Sequence, residues 1–116
     1  MCHILLPGRK RPVGSPPDGR YADEAVERFA MELRIRNISP SACQVKLFGG
    51  GNMFSGTAAA GMNIGKKNID ATRHALSVYD FRIMNEHVGG TARRRLFFDL
   101  SSGHVWLSAP EAKPFP

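Results

Sequence analysis

The chain has 116 residues, 42% of them hydrophobic, and a formal net charge of +6 from 16 Lys+Arg against 10 Asp+Glu. That is one domain's worth of chain with enough apolar content for a core, which argues against disorder. No run approaches the roughly 18 apolar residues of a membrane span, and two cysteines, Cys2 and Cys43, are too few for a disulfide framework.

Residues 2–6, Cys-His-Ile-Leu-Leu, read as a short buried strand that opens the chain abruptly. The apolar start is stopped by Pro7 and has no basic lead, so it is not read as a secretory signal, and the chain is read as cytoplasmic. Residues 7–19 form a loop rich in proline and glycine around Arg9-Lys10-Arg11. Residues 20–37 read as an amphipathic helix with Ala22, Val26, Phe29, Ala30 and Leu33 inward, and Glu24, Glu27 and Arg28 elsewhere on its surface. Asn37-Ile38-Ser39-Pro40 ends it.

Residues 44–48 form a strand that opens into Gly49-Gly50-Gly51-Asn52-Met53, and residues 49–62 continue as a glycine- and small-residue-rich loop. Three consecutive glycines stabilise neither helix nor strand; they suit a tight turn or the close approach of another group to the main chain. A second helix over 63–78 has Asn63 as its N-cap and Ile64, Ile69, Thr72 and Leu76 on its inner face. A strand follows at 80–88. A hairpin then runs from Arg94–Asp99 through Ser101-Ser102-Gly103 to His104–Ser108, and residues 110–116 form a frayed tail. Strands alternating with two helices predict an α/β layered domain with a mixed sheet.

Most chemical motifs fail on inspection. A P-loop needs glycine where Ala60 stands and a hydroxyl residue where Lys67 stands; a dinucleotide fingerprint needs glycine where Phe54 stands. His3, His74, His87 and His104 are scattered, with no metal-ligand spacing. The basic clusters Arg9-Lys10-Arg11 and Arg93-Arg94-Arg95 have no interleaved aromatics and belong to no nucleic-acid-binding motif, so a nucleic-acid binder rests on charge alone. Cys2 and His3 are adjacent, but on a strand successive side chains point to opposite faces, so they do not form a catalytic pair. Cys43 reads as a small core or loop residue. His3 on an apolar strand is either a hydrogen-bonded core histidine or a catalytic one.

Five motifs stand in order along the chain: His3-Ile4-Leu5-Leu6-Pro7, Arg20-Tyr21-Ala22-Asp23, Lys46 to Met53, Ile64-Gly65-Lys66-Lys67-Asn68 and Gly89-Gly90. In this order they resemble CheD, the chemoreceptor glutamine deamidase family, from residue 2 to about residue 108. The resemblance implies an α/β three-layer sandwich with a mixed β-sheet and two main helices. The implied activity is protein-glutamine glutaminase: hydrolysis of receptor glutamine amides to glutamate and ammonia, without cofactor or metal. Methyl-accepting chemotaxis receptors are the implied partners, with CheC-type phosphatases as further ones; neither nucleic acid nor membrane insertion is expected.

The family uses a cysteine nucleophile, a histidine base and a threonine. The histidine matches His3. Arg20, Asp23, Gly49, Gly50, Gly51, Asn52 and Asn68 are the implied substrate-binding or pocket-shaping residues. For Arg20 and Asp23 a structural role competes with substrate orientation; Asn52 either bonds its own loop or lines the site; Asn68 ties the second helix to the glycine loop. The family's cysteine lies in a Leu-Gly-Ser-Cys segment upstream of the histidine, as does the threonine, and Cys2 is not that cysteine. The expectation is therefore residues 1–109 of a single deamidase domain lacking its N-terminal strands, inactive as it stands, through either a start assigned at an internal Met1 or a truncated gene. The alternative is a non-catalytic binding module. Arg93 also stands where the family's Gly-Gly-x-x-Gly-Arg has its third glycine, which predicts strain if that position needs a positive φ.

Overall fold

The computed structural model describes residues 1–52 and 63–108. Residues 53–62, which include Met53 and the small-residue stretch of the glycine loop, lie outside the described residues, as does the tail expected over 110–116. Along the chain come helix α1 (Ala22–Ile35), a 3-10 turn (Pro40–Ala42), strand β1 (Val45–Gly49), helix α2 (Ile64–Val78), and strands β2 (Ile83–Val88), β3 (Arg95–Phe98) and β4 (Val105–Ser108). β1 and β2 pair in parallel; β3 and β4 pair antiparallel, with Phe97 opposite Trp106. Two helices with strand pairs of both directions make an α/β fold, as the sequence predicts. Because parallel neighbours need a crossover, α2 carries the chain from the end of β1 back to the start of β2.

The core lies where α1 and α2 meet the beginnings of β1 and β2. Val26 and Ala30 of α1 cluster with Ala75 and Leu76 of α2 and with Phe81; Leu33, Cys43, Val45, Tyr79 and Ile83 pack around them. Alanines at the helix contact let the two backbones come close, and Phe81 fills the base. Cys43 takes the small packing role expected of it. Phe29 does not: it is among the exposed apolar residues of α1.

Both helices end the same way. Asn37 and Asp80 adopt left-handed φ of 55° and 62°. Ile38 N donates to the Leu33 carbonyl and Asn37 N to that of Arg34; Phe81 N donates to Leu76 and Asp80 N to Ser77. This paired pattern satisfies the last carbonyls and turns the chain sharply. The stop of α1 thus comes from Asn37, before Pro40 is reached.

Two expectations are corrected. Among the described residues, 2–6 form no ladder and are not buried, with Leu5 and Leu6 exposed; one parallel bridge joins Leu6 to Tyr21. Leu5 N and Leu6 N both donate to the Arg20 carbonyl, and Ala22 N donates to that of Leu6, so the segment is pinned to the start of α1. Glu24, expected on the surface, is only 2% exposed. Helical spacing alone puts it opposite the inner stripe, but the loop before α1 folds over it with Arg9 and Arg11.

Candidate active site

The two turns that follow β1 and β2 lie side by side at the carboxyl ends of the parallel strands. Gly89 N donates to the Gly49 carbonyl and Asn52 N to that of Gly90, both at 2.8 Å. Such ends, beside the start of the crossover helix, are where open α/β sheets place their ligands. Gly50 has φ 66° and its backbone lies against Gly65 in the first turn of α2: a Cβ on Gly65 would overlap the Gly50 carbonyl, and one on Gly50 would overlap Ile69. Two glycines are needed here because two main chains touch.

Arg94 braces this pair of turns. Its Nε donates to His87 Nδ1 at 2.8 Å and its Nη2 to the Gly89 carbonyl. Nη1 stands 3.4 Å from where a Cβ on Gly51 would sit. His87 accepts at Nδ1, so its neutral ring carries the proton on Nε2. Arg93 is not among the positive-φ residues, so the strain expected there does not arise. The turn absorbs its curvature at Gly89 and Gly90, with φ of 78° and 71°.

The first two turns of α2 face a second segment. Asn63 caps the helix by accepting from Lys66 N at 3.0 Å. Asn68, one turn on, donates through Nδ2 to the Leu5 carbonyl at 3.1 Å, while its Oδ1 is buried without a hydrogen-bond partner. The side chain of Asn68 therefore ties α2 to the His3 segment, not to the glycine loop as expected. His3 itself is exposed, not a hydrogen-bonded core residue. Losing the ladder expected over 2–6 is what leaves it open to solvent.

Arg20 and Asp23 stand at the start of α1. The Arg20 guanidinium is committed to Asp18, with Nη2 2.6 Å from Oδ2. That bond and the Arg20 backbone N–H hold the Asp18 carboxyl down to about 2. What Arg20 gives the site is its carbonyl, which holds Leu5 and Leu6. Asp23 is exposed in the first turn of α1, where a carboxylate favours the helix dipole. It borders an open groove of about 480 Å³ between the helices, together with Pro7, Glu27, His74, Ala75 and Tyr79.

The loop before α1 is organised by Glu24. Arg9 donates to both carboxylate oxygens at 2.8 Å, and the Asp18 backbone N–H adds a third bond. The Arg9 hydrogen bonds hold the Glu24 carboxyl below its ordinary value. Arg11 reaches Glu27 at 2.6 Å. The first basic cluster thus spends two of its three cations on α1. Neither Cys2 nor Cys43 is in a disulfide. Cys2 Sγ packs 3.4 Å from where a Cβ on Gly19 would be. Among the described residues, no group of three or more His, Cys, Asp or Glu could hold a metal.

Of the expected site residues, Gly50 and Gly51 lie against Gly65 at the start of α2, Gly49 and Asn52 bond to the neighbouring turn at Gly89 and Gly90, and Asn68 brings the His3 segment to the same helix through Leu5. Arg20 joins through its main chain; Asp23 lies on the groove. Sequence reasoning missed Gly65, Arg94 and Glu24. Gly65 had a signal, a glycine inside a helical pattern and one turn from the glycine loop; Arg94 had one in the arginine that ends the family's Gly-Gly-x-x-Gly-Arg; Glu24 had none beyond its charge.

A βαβ unit with paired glycine turns at its strand ends, its crossover helix bonded to a histidine-bearing segment, defines an α/β domain. Residues 5–109 match the family described as CheD chemotactic sensory transduction, and the chain belongs to that family. It is 43% identical over 111 residues to a probable chemoreceptor glutamine deamidase CheD 3 of Dechloromonas aromatica, covering 96% of this chain and 65% of that protein. A probable chemoreceptor glutamine deamidase CheD 2 of Albidiferax ferrireducens is 39% identical, with 91% and 62% covered. One named probable chemoreceptor glutamine deamidase CheD from Thermococcus kodakarensis is 30% identical, with 90% and 65% covered. The chain thus spans a little under two thirds of the length of these relatives.

Proposed function

We propose that these residues form the histidine-bearing part of a chemoreceptor glutamine deamidase, a single domain over residues 1–109 that works in the cytoplasm. The observation that carries this reading is the convergence on α2: Gly65 against Gly50, and Asn68 bonded to the Leu5 carbonyl. It puts the family's glycine motif and its histidine motif on one end of one helix. The unbridged cysteines fit a reducing compartment.

In this reading a cysteine thiolate attacks the glutamine carboxamide carbon. His3 accepts the thiol proton and passes it to the departing ammonia; it then takes a proton from the water that cleaves the thioester, leaving glutamate and the free thiol. Residues 49–52 shape the pocket wall, and Arg94 keeps that wall in place. Neither Cys2 nor Cys43 supplies the thiolate: Cys43 packs against the core and Cys2 against Gly19. The 116 residues alone are therefore expected to release no ammonia.

The test joins the chain to a segment carrying the family's Leu-Gly-Ser-Cys sequence and measures ammonia release from a receptor cytoplasmic fragment. Release by the joined chain and not by the chain alone supports the reading. Release by the chain alone that is lost in Cys2→Ala would assign the nucleophile to Cys2 and overturn this assignment.

A second reading is docking without catalysis, to receptors or to a CheC-type phosphatase. The cross-strand pair Phe97 and Trp106, 67% and 57% exposed, favours it, since exposed aromatics often mark contact surfaces. Binding of the phosphatase by the chain, lost in Phe97→Ser with Trp106→Ser, would support it.

A further inference from the structure

The segment that carries His3 is held from two sides. On one side are main-chain bonds at Leu5, Leu6 and Ala22, which fasten it to the start of α1. On the other is the side-chain bond from Asn68 Nδ2 to the Leu5 carbonyl, which crosses to α2. The segment joins neither β1 nor β2, so no ladder sets its distance from the glycine turn. α2, by contrast, is fixed to that turn by the contact between Gly65 and Gly50. Asn68 lies three residues beyond Gly65, on the neighbouring part of the same helix face.

Asn68 also holds its amide at a cost. Its Oδ1 is buried and has no hydrogen-bond partner, an arrangement that folded chains avoid unless the group serves another purpose. An aliphatic side chain would leave no unpaired acceptor, but it would leave the Leu5 carbonyl without its donor from α2. A carboxylate would set oxygen against oxygen.

We propose that Asn68 is the positioning residue for His3: by pinning the Leu5 carbonyl to α2 it fixes the imidazole, two residues upstream, relative to the glycine turn. The inference rests on the deamidase reading for its catalytic meaning, and on the hydrogen bonds alone for its structural content. A misplacement of even about 1 Å of a catalytic group costs up to roughly a hundredfold in rate, so a single positioning bond matters here.

The experiment uses the 116-residue chain with 15N-labelled histidine, the His3 signal being assigned with His3→Gln. Asn68→Asp keeps the size of the side chain and removes the donor. It is expected to shift and broaden the His3 imidazole signals and to speed amide exchange at Leu5, while amides in the middle of α2 keep their protection. Lys67→Ala, an exposed change on the same turn, is expected to leave His3 unmoved. Should Asn68→Asp fail to fold cooperatively, Asn68→Ala removes the donor without adding a charge. An unchanged His3 signal in a folded Asn68 variant would overturn the proposal. In the joined, cysteine-bearing chain the same variant is expected to lower kcat by roughly tenfold or more with little change in KM. If that joined chain releases no ammonia even with Asn68 intact, the deamidase reading fails, while the His3 spectrum still decides the role of Asn68.

Discussion

The Gly65 backbone sits directly on the Gly50 carbonyl, with no room for a side chain at either residue. This contact fixes the glycine turn to the helix that carries Asn68. In an ordinary helix, replacing glycine by alanine gains up to about 1 kcal/mol. Here the obstacle is main chain, which cannot rotate away. Gly65→Ala is expected to destabilise the fold by about 1–3 kcal/mol, as overpacking does, measured by urea denaturation. A stabilised Gly65→Ala would show that the two backbones are not in contact.

Arg94 holds the neighbouring turn by two bonds from one planar group, to His87 and to the Gly89 carbonyl. A lysine, with one point charge, cannot reproduce that fork. Both Arg94→Ala and Arg94→Lys are therefore expected to speed hydrogen exchange at the Gly89 and Asn52 amides, which bond across the two turns. Exchange unchanged in Arg94→Lys would reduce the guanidinium to a simple counter-charge.

Glu24 is the buried anchor of the loop before α1, and its carboxyl is held below its ordinary 4.5 chiefly by the hydrogen bonds from Arg9. Asp18, held down to about 2 by Arg20, behaves in the same way at the surface. A carboxyl with a lowered folded value stabilises the fold above its unfolded value and loses that contribution as pH falls through the folded one. Stability is thus expected to fall as pH drops below about 4.5, where the unfolded chain begins to take up protons at these groups first. Glu24→Gln should lower stability at neutral pH and flatten its acid dependence, as followed by thermal melts across pH. A variant with the parent's acid profile would contradict the assignment.

The N-cap of α2 gives a smaller, separate effect. Asn63→Ala removes the acceptor for Lys66 N and is expected to cost about 1 kcal/mol, read as a lower melting temperature. No loss on Asn63→Ala would mean that the helix start is held by its packing alone.

The helices were legible because their signals are local. Alanine and valine at helical spacing placed α1, and an asparagine followed by an apolar period placed α2 with its cap at Asn63. The β3–β4 hairpin was legible from alternation around a Ser-Ser-Gly turn. The strand expected over 2–6 was misread because four apolar residues and a histidine dictate neither burial nor pairing: Leu5 and Leu6 stay exposed, and among the described residues this segment bridges only to Tyr21. Glu24 was misread because its partners, Arg9 and Arg11, come from a loop fifteen and thirteen positions away, a closure that periodicity does not encode. The glycine motif was legible as a place of tight turn or close approach, but its reason lay in Gly65, since close approach of two backbones is a property of the pair. Arg20 was placed at the site by its motif, yet its carbonyl does the holding while its charge goes to Asp18.

The central claim is that His3, on a segment held from α2, is the base of a glutamine deamidase site. It is tested most directly by joining the chain to the Leu-Gly-Ser-Cys segment and following a receptor fragment by mass spectrometry, with His3 intact and as His3→Ala. The account predicts amide-to-acid conversion at receptor glutamines with His3 intact and its loss in His3→Ala, both proteins remaining folded. Equal conversion by the two would contradict it.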